Sequence, residues 1–239
     1  MKLSHKVGKI FSREAHVRGL RRLRRKLRPI SVRRILDQID RARLTEIQSR
    51  WASSTADAEK YKKYLAGFDR WMEVNAQRAQ DLELHHCEPL DILDLGCGGG
   101  FFLFVCKELG HECLGVDTGE DRLFDELIDL LRVDRYVWKI LPFQPLPDLG
   151  RQFDLITAFA TGFNADLEGR GVWQVKEWDF FLNDLQKHLR PDGRVLFGIN
   201  TGPDGRRYPE EVRNFFAQRG AVLERNRVYF THGCLARSS

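Results

Sequence analysis

The sequence contains no apolar stretch long enough to cross a bilayer: its longest uninterrupted run is the six residues Phe101 to Cys106, where a spanning helix needs about 20. Its basic amino-terminal stretch lacks the apolar segment and small-residue cleavage site of a secretory signal. Its five cysteines, Cys87, Cys97, Cys106, Cys113 and Cys234, make an odd count with no CxxC pair. That excludes a disulfide framework and the common zinc patterns, so no metal is expected and the thiols read as reduced residues of a cytoplasmic protein. No internal repeat or low-complexity tract occurs. With 42% hydrophobic and 31% charged residues, the 239-residue chain has the composition of a globular protein.

Charge is unevenly placed. Residues 1–50 hold 16 Lys/Arg against 4 Asp/Glu, a net +12, and the remainder holds 23 against 30, a net −7. Between residues 17 and 28, Val17, Leu20, Leu23 and Leu27 recur at helical spacing among seven Arg/Lys, and Pro29 follows. This pattern is expected to form a basic amphipathic helix, either packed on the protein or docked on an anionic surface. An anionic membrane contact through 17–28, peripheral at the inner membrane, is the favoured partner, ahead of RNA. Ser31 is placed to cap a second helix through Val32, Ile35, Leu36 and Ile39. Residues 1–51 are thus expected to be a helical extension. Residues 52–87 are expected to hold a linker and then a helix over 62–84, whose stripe of Leu65, Phe68, Met72, Ala76, Ala79 and Leu82 can brace or cover a site.

From residue 88 the pattern changes to short apolar runs alternating with helices: LDILDL, GFFLFVCKELG, ECLGVD, RLFDELIDLL, RYVWKIL, FDLITAFA, KEWDFFLNDLQKHLRPDG, RVLFGIN, PEEVRNFFAQRG and AVLERNRVYF. Five parallel-type strands joined by helical crossovers imply an α/β domain over 88–239 with a doubly wound, mostly parallel sheet of the seven-stranded type. Ligands of such sheets lie outside the carboxyl ends of the strands, which points to the first strand–helix turn, Gly96-Cys97-Gly98-Gly99-Gly100. Two patterns are missing from this turn. The dinucleotide fingerprint requires a third glycine where the chain has Phe101, and no Lys-Ser/Thr follows to make a phosphate loop.

DILDLGCGGG resembles motif I of the class I S-adenosylmethionine-dependent methyltransferases, and the likeness extends over about residues 88–230. LPF at 141–143 before FDLITAFA, and LQKHLRPDGRVLFGIN, fit the same family in order and spacing. The resemblance implies a Rossmann-like fold and S-adenosyl-L-methionine as cofactor. It implies that Gly96, Cys97, Gly98 and Gly100 lie against the methionine portion and that Asp94 orients the turn and the cofactor ammonium. It also implies that Asp117, with Thr118 beside it, receives the ribose hydroxyls, and that Phe143 and Phe159 flank the cofactor. A helix N-cap is the alternative for Asp117. One departure is clear: the family's acid for the adenine amino group is missing from Val137-Trp138-Lys139-Ile140, which leaves backbone groups and stacking by Trp138 or Phe143.

The segment after FDLITAFA carries no Asn/Asp-Pro-Pro-Tyr/Phe motif and no proline between Asp148 and Pro191, which disfavours an amino-nucleobase acceptor. Asn164, Trp173, Glu177 and Trp178 are the expected acceptor-pocket residues, each with a loop-cap or core role as the alternative. The resemblance therefore implies methyl transfer to oxygen or nitrogen of a small-molecule, glycan or lipid-linked acceptor. An RNA methyltransferase and a catalytically silent cofactor-binding scaffold are the alternatives.

Overall fold

The computed structural model describes residues 29–52, 59, 61–166, 171–200, 207–224 and 227–235. The basic helix expected over 17–28 and nearly all of the 52–60 linker lie outside the described residues. The chain divides into two compact units, one ending at Cys87 and one beginning at Glu88.

In the first unit, α1 (Val32–Leu36) and α2 (Arg41–Ala52) precede a π-helical turn at Tyr61–Ala66, helix α3 (Phe68–Asp81) and a 3-10 turn at Leu84–His86. The expected helix over 62–84 is therefore not continuous. It breaks at Gly67, where an added Cβ would lie 3.0 Å from the Lys63 carbonyl oxygen, and it stops at Asp81. The apolar stripe survives the break, with Leu65, Phe68, Met72, Ala76, Ala79 and Leu82 all buried. The Gln48 side chain ties α2 to the π-helical turn by donating to the Leu65 carbonyl at 2.8 Å. Ser31 stands at the N-cap of α1 but makes no side-chain cap bond.

The second unit is built on a seven-stranded sheet of order β3-β2-β1-β4-β7-β9-β8. Its strands are β1 (Asp91–Leu95), β2 (Glu112–Asp117), β3 (Arg135–Val137), β4 (Phe153–Phe159), β7 (Leu189–Gly198), β8 (Val222–Glu224) and β9 (Arg227–Thr231). A separate hairpin, β5 (Ala165–Asp166) with β6 (Gly171–Val172), lies between β4 and β7 in the chain. The first five strands of the sheet order pair in parallel, and β9 runs antiparallel to both β7 and β8. The central strands are apolar at nearly every position, with Ile92, Leu93, Leu95, Leu155, Ile156 and Ala158 wholly buried, because helices cover both faces.

Helices α4 (Phe101–Glu108) and α5 (Arg122–Leu131) link the β1–β2–β3 side, while α6 (Val175–His188) crosses from β4 to β7. Strand order therefore reverses direction between β1 and β4, and the crevice for a ligand opens there at the carboxyl ends. Helix α7 (Glu210–Gln218) packs on α6 through Phe216, whose ring meets Trp178 edge-on at 5.1 Å, and α8 (His232–Leu235) closes the described chain.

Three boundaries differ from the sequence reading. Strand β3 stops at Val137, although the Trp138 N–H still donates to the Asp117 carbonyl of β2 at 2.8 Å. Helix α6 ends at His188, and Leu189 to Arg194 bulge along β4, so that Phe153 pairs with Leu189 and Leu155 with Arg194. Within AVLERNRVYF, β8 and β9 pair antiparallel.

Candidate cofactor and acceptor site

The glycine turn takes its shape from backbone that side chains would obstruct. Gly96, Gly98 and Gly100 have φ of 71°, 54° and 77°, a region open to glycine at little cost. At Gly96 the constraint is also steric, since an added Cβ would stand 2.5 Å from Cγ2 of Thr161. The turn is fastened to the end of β2 by the Gly96 and Cys97 N–H groups, both donating to the Val116 carbonyl at 2.7 and 3.2 Å. From Gly100 the chain enters α4, whose first-turn N–H groups have no intrahelical acceptor and so face a ligand as donors.

Two aspartates frame this turn. Asp94 in β1 is 3% exposed and sits opposite Thr157 of β4 in the parallel register. The Thr157 hydroxyl donates to Asp94 Oδ1 at 2.7 Å, which fixes the carboxylate under the turn. Asp117 ends β2. Its Oδ2 accepts from the Gly98 N–H and its Oδ1 from the Thr118 N–H, both at 2.8 Å. Each oxygen keeps a further lone pair, so the carboxylate is held in place and can still accept two hydroxyls. The N-cap alternative for Asp117 does not apply, because Asp121 caps α5 by accepting from the Leu123 N–H at 3.1 Å.

Cys97 projects from the same turn, half-buried, against Gly115, where an added Cβ would lie 2.5 Å from its sulfur. Its thiol pKa is pushed well above the ordinary range, first by burial and then by the Asp94 and Asp117 carboxylates. Phe159 packs edge-on against Phe102 at 4.8 Å and is largely buried. Phe143, with φ of 58° and 53% of its surface exposed, stands in the loop after β3 near Tyr136, Val137 and Leu141 in sequence, all exposed. Ala160, just past β4, is likewise in the left-handed region at φ 54°, a conformation that costs an alanine about 1–3 kcal/mol and concentrates at functional sites.

The structure corrects two of the expected acceptor residues. Trp178 is wholly buried among Trp173, Phe181, Phe197 and Phe216, so it anchors the core and lines no pocket. Glu177 closes a capping box on α6, accepting from the Gln174 N–H at 2.9 Å. Trp173 is also buried, at 6% exposure, and its N–H donates to the Asn164 carbonyl at 2.8 Å. Asn164 itself is 4% exposed. Sequence reasoning passed over Thr157 and Thr161. The visible signal was a hydroxyl within the apolar part of β4 and another at its exit.

The parallel sheet thus has its glycine turn at the reversal point and an acid ending the second strand, the place where ligands of such sheets lie. The family model described as "Methyltransferase domain" matches residues 93–197. Among curated proteins, a ubiquinone biosynthesis O-methyltransferase of Idiomarina loihiensis is 24% identical over 64% of this chain and 65% of its own length. A ubiquinone biosynthesis O-methyltransferase of Mesorhizobium japonicum is 30% identical over 46% of this chain and 40% of its own. The chain thus spans less than two thirds of either relative. Among solved structures, DesVI of Streptomyces venezuelae superposes with a TM-score of 0.48 at 17% identity, over 63% of this chain and 60% of that one. Residues 93–197 of the chain thus match a methyltransferase domain.

Proposed function

We propose that this protein transfers the methyl group of S-adenosylmethionine to an oxygen of a small-molecule acceptor. The observation that carries the reading is Asp117: a carboxylate ending β2, oriented by two backbone N–H groups and able to accept two adjacent hydroxyls. Its neighbours fit the rest of the cofactor. The glycine turn gives backbone access, the α4 amino terminus suits a carboxylate, and the exposed Phe143 ring offers a stacking surface where the family's adenine acid is missing.

The cofactor supplies a carbon already activated by positive sulfur, so the protein has mainly to align the acceptor and exclude water. Asp94, clamped by Thr157, and Asp117 hold the turn rigid, and Ala160 with Thr161 border it on the β4 side. Oxygen as acceptor atom is supported by the two curated relatives, both O-methyltransferases by name. Titration calorimetry with S-adenosylhomocysteine and NAD, followed by transfer of labelled methyl into fractionated small-molecule, lipid, glycan and RNA pools, tests this. Label in a hydroxylated small molecule is the expected result. NAD binding tighter than S-adenosylhomocysteine, or label confined to RNA, overturns it.

The net +12 of residues 1–50 supports a second contact, salt-sensitive attachment of the 17–28 segment to anionic membrane. Attraction of about 1 kcal/mol per basic residue near the surface makes such attachment reversible and weak above ~0.5 M salt. Cosedimentation with anionic liposomes at low salt, lost on removing residues 1–30, is expected. Tight RNA binding by the same segment with indifference to lipid charge overturns it.

A further inference from the structure

Helix α6 carries a buried carboxylate among its apolar residues. Trp178, Phe181, Leu182 and Leu185 of that helix are buried, and Asp184 is itself only 3% exposed. Burying a charge costs free energy unless specific bonds return it, so such a residue fixes an arrangement that an apolar one would not specify. Its Oδ1 accepts from Lys187 at 3.0 Å, but the lysine side chain is 73% exposed and the pair holds little. Its Oδ2 accepts from the Leu146 N–H at 2.7 Å, across 38 residues of chain.

Leu146 belongs to the irregular stretch 138–152 between β3 and β4. It stands between Pro145 and Pro147, which have no N–H, so its amide is the one backbone donor of the three. The stretch meets α6 elsewhere as well. The Gln152 side chain donates to the Lys187 carbonyl at 3.1 Å, and the Phe143 ring meets Phe180 edge-on at 5.9 Å. Phe180, Asp184 and Lys187 recur at helical spacing, so one stripe of α6 supports the loop. Pro145, Leu146, Asp184 and His188 also border a groove of about 420 Å³, so close packing is incomplete here and the hydrogen bond sets the position.

Phe143 is the strained member of this loop. The Gln144 N–H donates to the Leu141 carbonyl at 3.4 Å, closing a turn with Pro142 and Phe143 at its centre. Phe143 takes a φ of 58° there, in a region that glycine or asparagine usually fills. An aromatic ring kept half-exposed on strained backbone needs its surroundings to hold it, and α6 does so.

We propose that Asp184 is a positioning residue: through the Leu146 N–H it sets the loop that presents the Phe143 ring to the adenine of the cofactor. This rests on the cofactor reading above. The carboxylate acts through the loop alone.

The test measures S-adenosylhomocysteine binding by calorimetry on the full-length protein. Phe143→Ala should bind about tenfold more weakly than wild type, the loss of one base–aromatic stack. Asp184→Ala should bind about fivefold more weakly, and Asp184→Asn, which keeps an acceptor for the Leu146 N–H, within about twofold. The double variant, Phe143→Ala with Asp184→Ala, should bind as Phe143→Ala does, because the carboxylate acts through the ring. Methylthioadenosine, which keeps the base and ribose, should lose affinity for Asp184→Ala by the same factor. A purely structural carboxylate would lower the melting temperature and leave these affinities unmoved. If the alanine variant does not fold, Asp184→Leu, apolar on a buried face, takes its place in every comparison. A folded Asp184→Ala or Asp184→Leu that binds within about twofold of wild type overturns the proposal, as does an undiminished loss in the Phe143→Ala background. Wild type failing to bind S-adenosylhomocysteine at all overturns the cofactor reading itself, a separate result.

Discussion

Strand β1 carries two aspartates, three residues apart, and they belong to opposite ends of the sheet. Asp91 opens the strand among charges. It accepts from Arg190 at 2.5 Å and from Arg151 at 3.0 Å, while Asp154 at the start of β4 takes the other Arg190 nitrogen at 2.7 Å and the Asp91 N–H at 2.8 Å. These carboxylates have their charges answered by protein. Asp94 lies near the other end, buried, beneath a turn with left-handed glycines, a strained Ala160 and an orphaned Thr161 hydroxyl. One end of the sheet is held by exposed and half-exposed ion pairs, the other by glycine backbone packed over a buried carboxylate.

Substitutions should separate the two ends. The largest effect is expected from Asp117→Ala, which should weaken S-adenosylhomocysteine binding by about 2–4 kcal/mol, since two charge-assisted bonds are lost and partly compensated. Calorimetry on the folded variant measures it; unchanged affinity would remove Asp117 from the site. Thr157→Val should come next. It deprives the buried Asp94 of a donor at 2.7 Å and should cost about 1–3 kcal/mol of stability in denaturant melts, with weaker cofactor binding as well. At the other end, Arg190→Met should lower the thermal midpoint only slightly, because the arginine is largely exposed, and leave the cofactor dissociation constant unmoved. A change in that constant would break the comparison.

The smallest effect concerns acid. His188, at the end of α6, has its pKa lowered below the usual 6.5, chiefly by burial, with Lys187 adding to the shift and Asp184 and Asp148 opposing it. The unfolded chain therefore binds this proton more readily than the native one. The stability that the neutral ring contributes is present above about pH 6.5 and is lost as pH falls toward the lower native value. His188→Gln should flatten the stability profile in that window; an unchanged slope between pH 7 and 5 would show that the histidine does not titrate there.

Much of the sheet was legible because parallel strands must be apolar on both faces, so DILDL, ECLGVD and FDLITAF stand out as short hydrophobic runs. The glycine turn and the strand-end placement of Asp117 follow from the same order and spacing. Elsewhere tertiary detail overrode the pattern. Gly67 interrupts a helix whose stripe continues across the break, and β3 ends at Val137 despite a β-prone sequence beyond it. The tryptophans after β4 suggested a pocket because aromatic residues serve pockets and cores alike. Only burial distinguishes the two, and Trp178 has no exposed surface. Thr157 and Thr161 differ from their apolar neighbours by one oxygen each, and what those oxygens meet depends on strand register and on a left-handed alanine.

Cys97 carries a chemical consequence. A thiolate is among the strongest nucleophiles in a protein, and the proposed cofactor is an alkylating agent. Burial and two carboxylates raise the pKa of this sulfur, so with the cofactor seated on this turn as proposed, the thiol would be a poor competitor for the methyl group. Iodoacetamide should label Cys97 more slowly at pH 8 than the exposed Cys87, and faster labelling of Cys97 would contradict this. The packing and charges that shape the turn therefore also keep its one thiol unreactive.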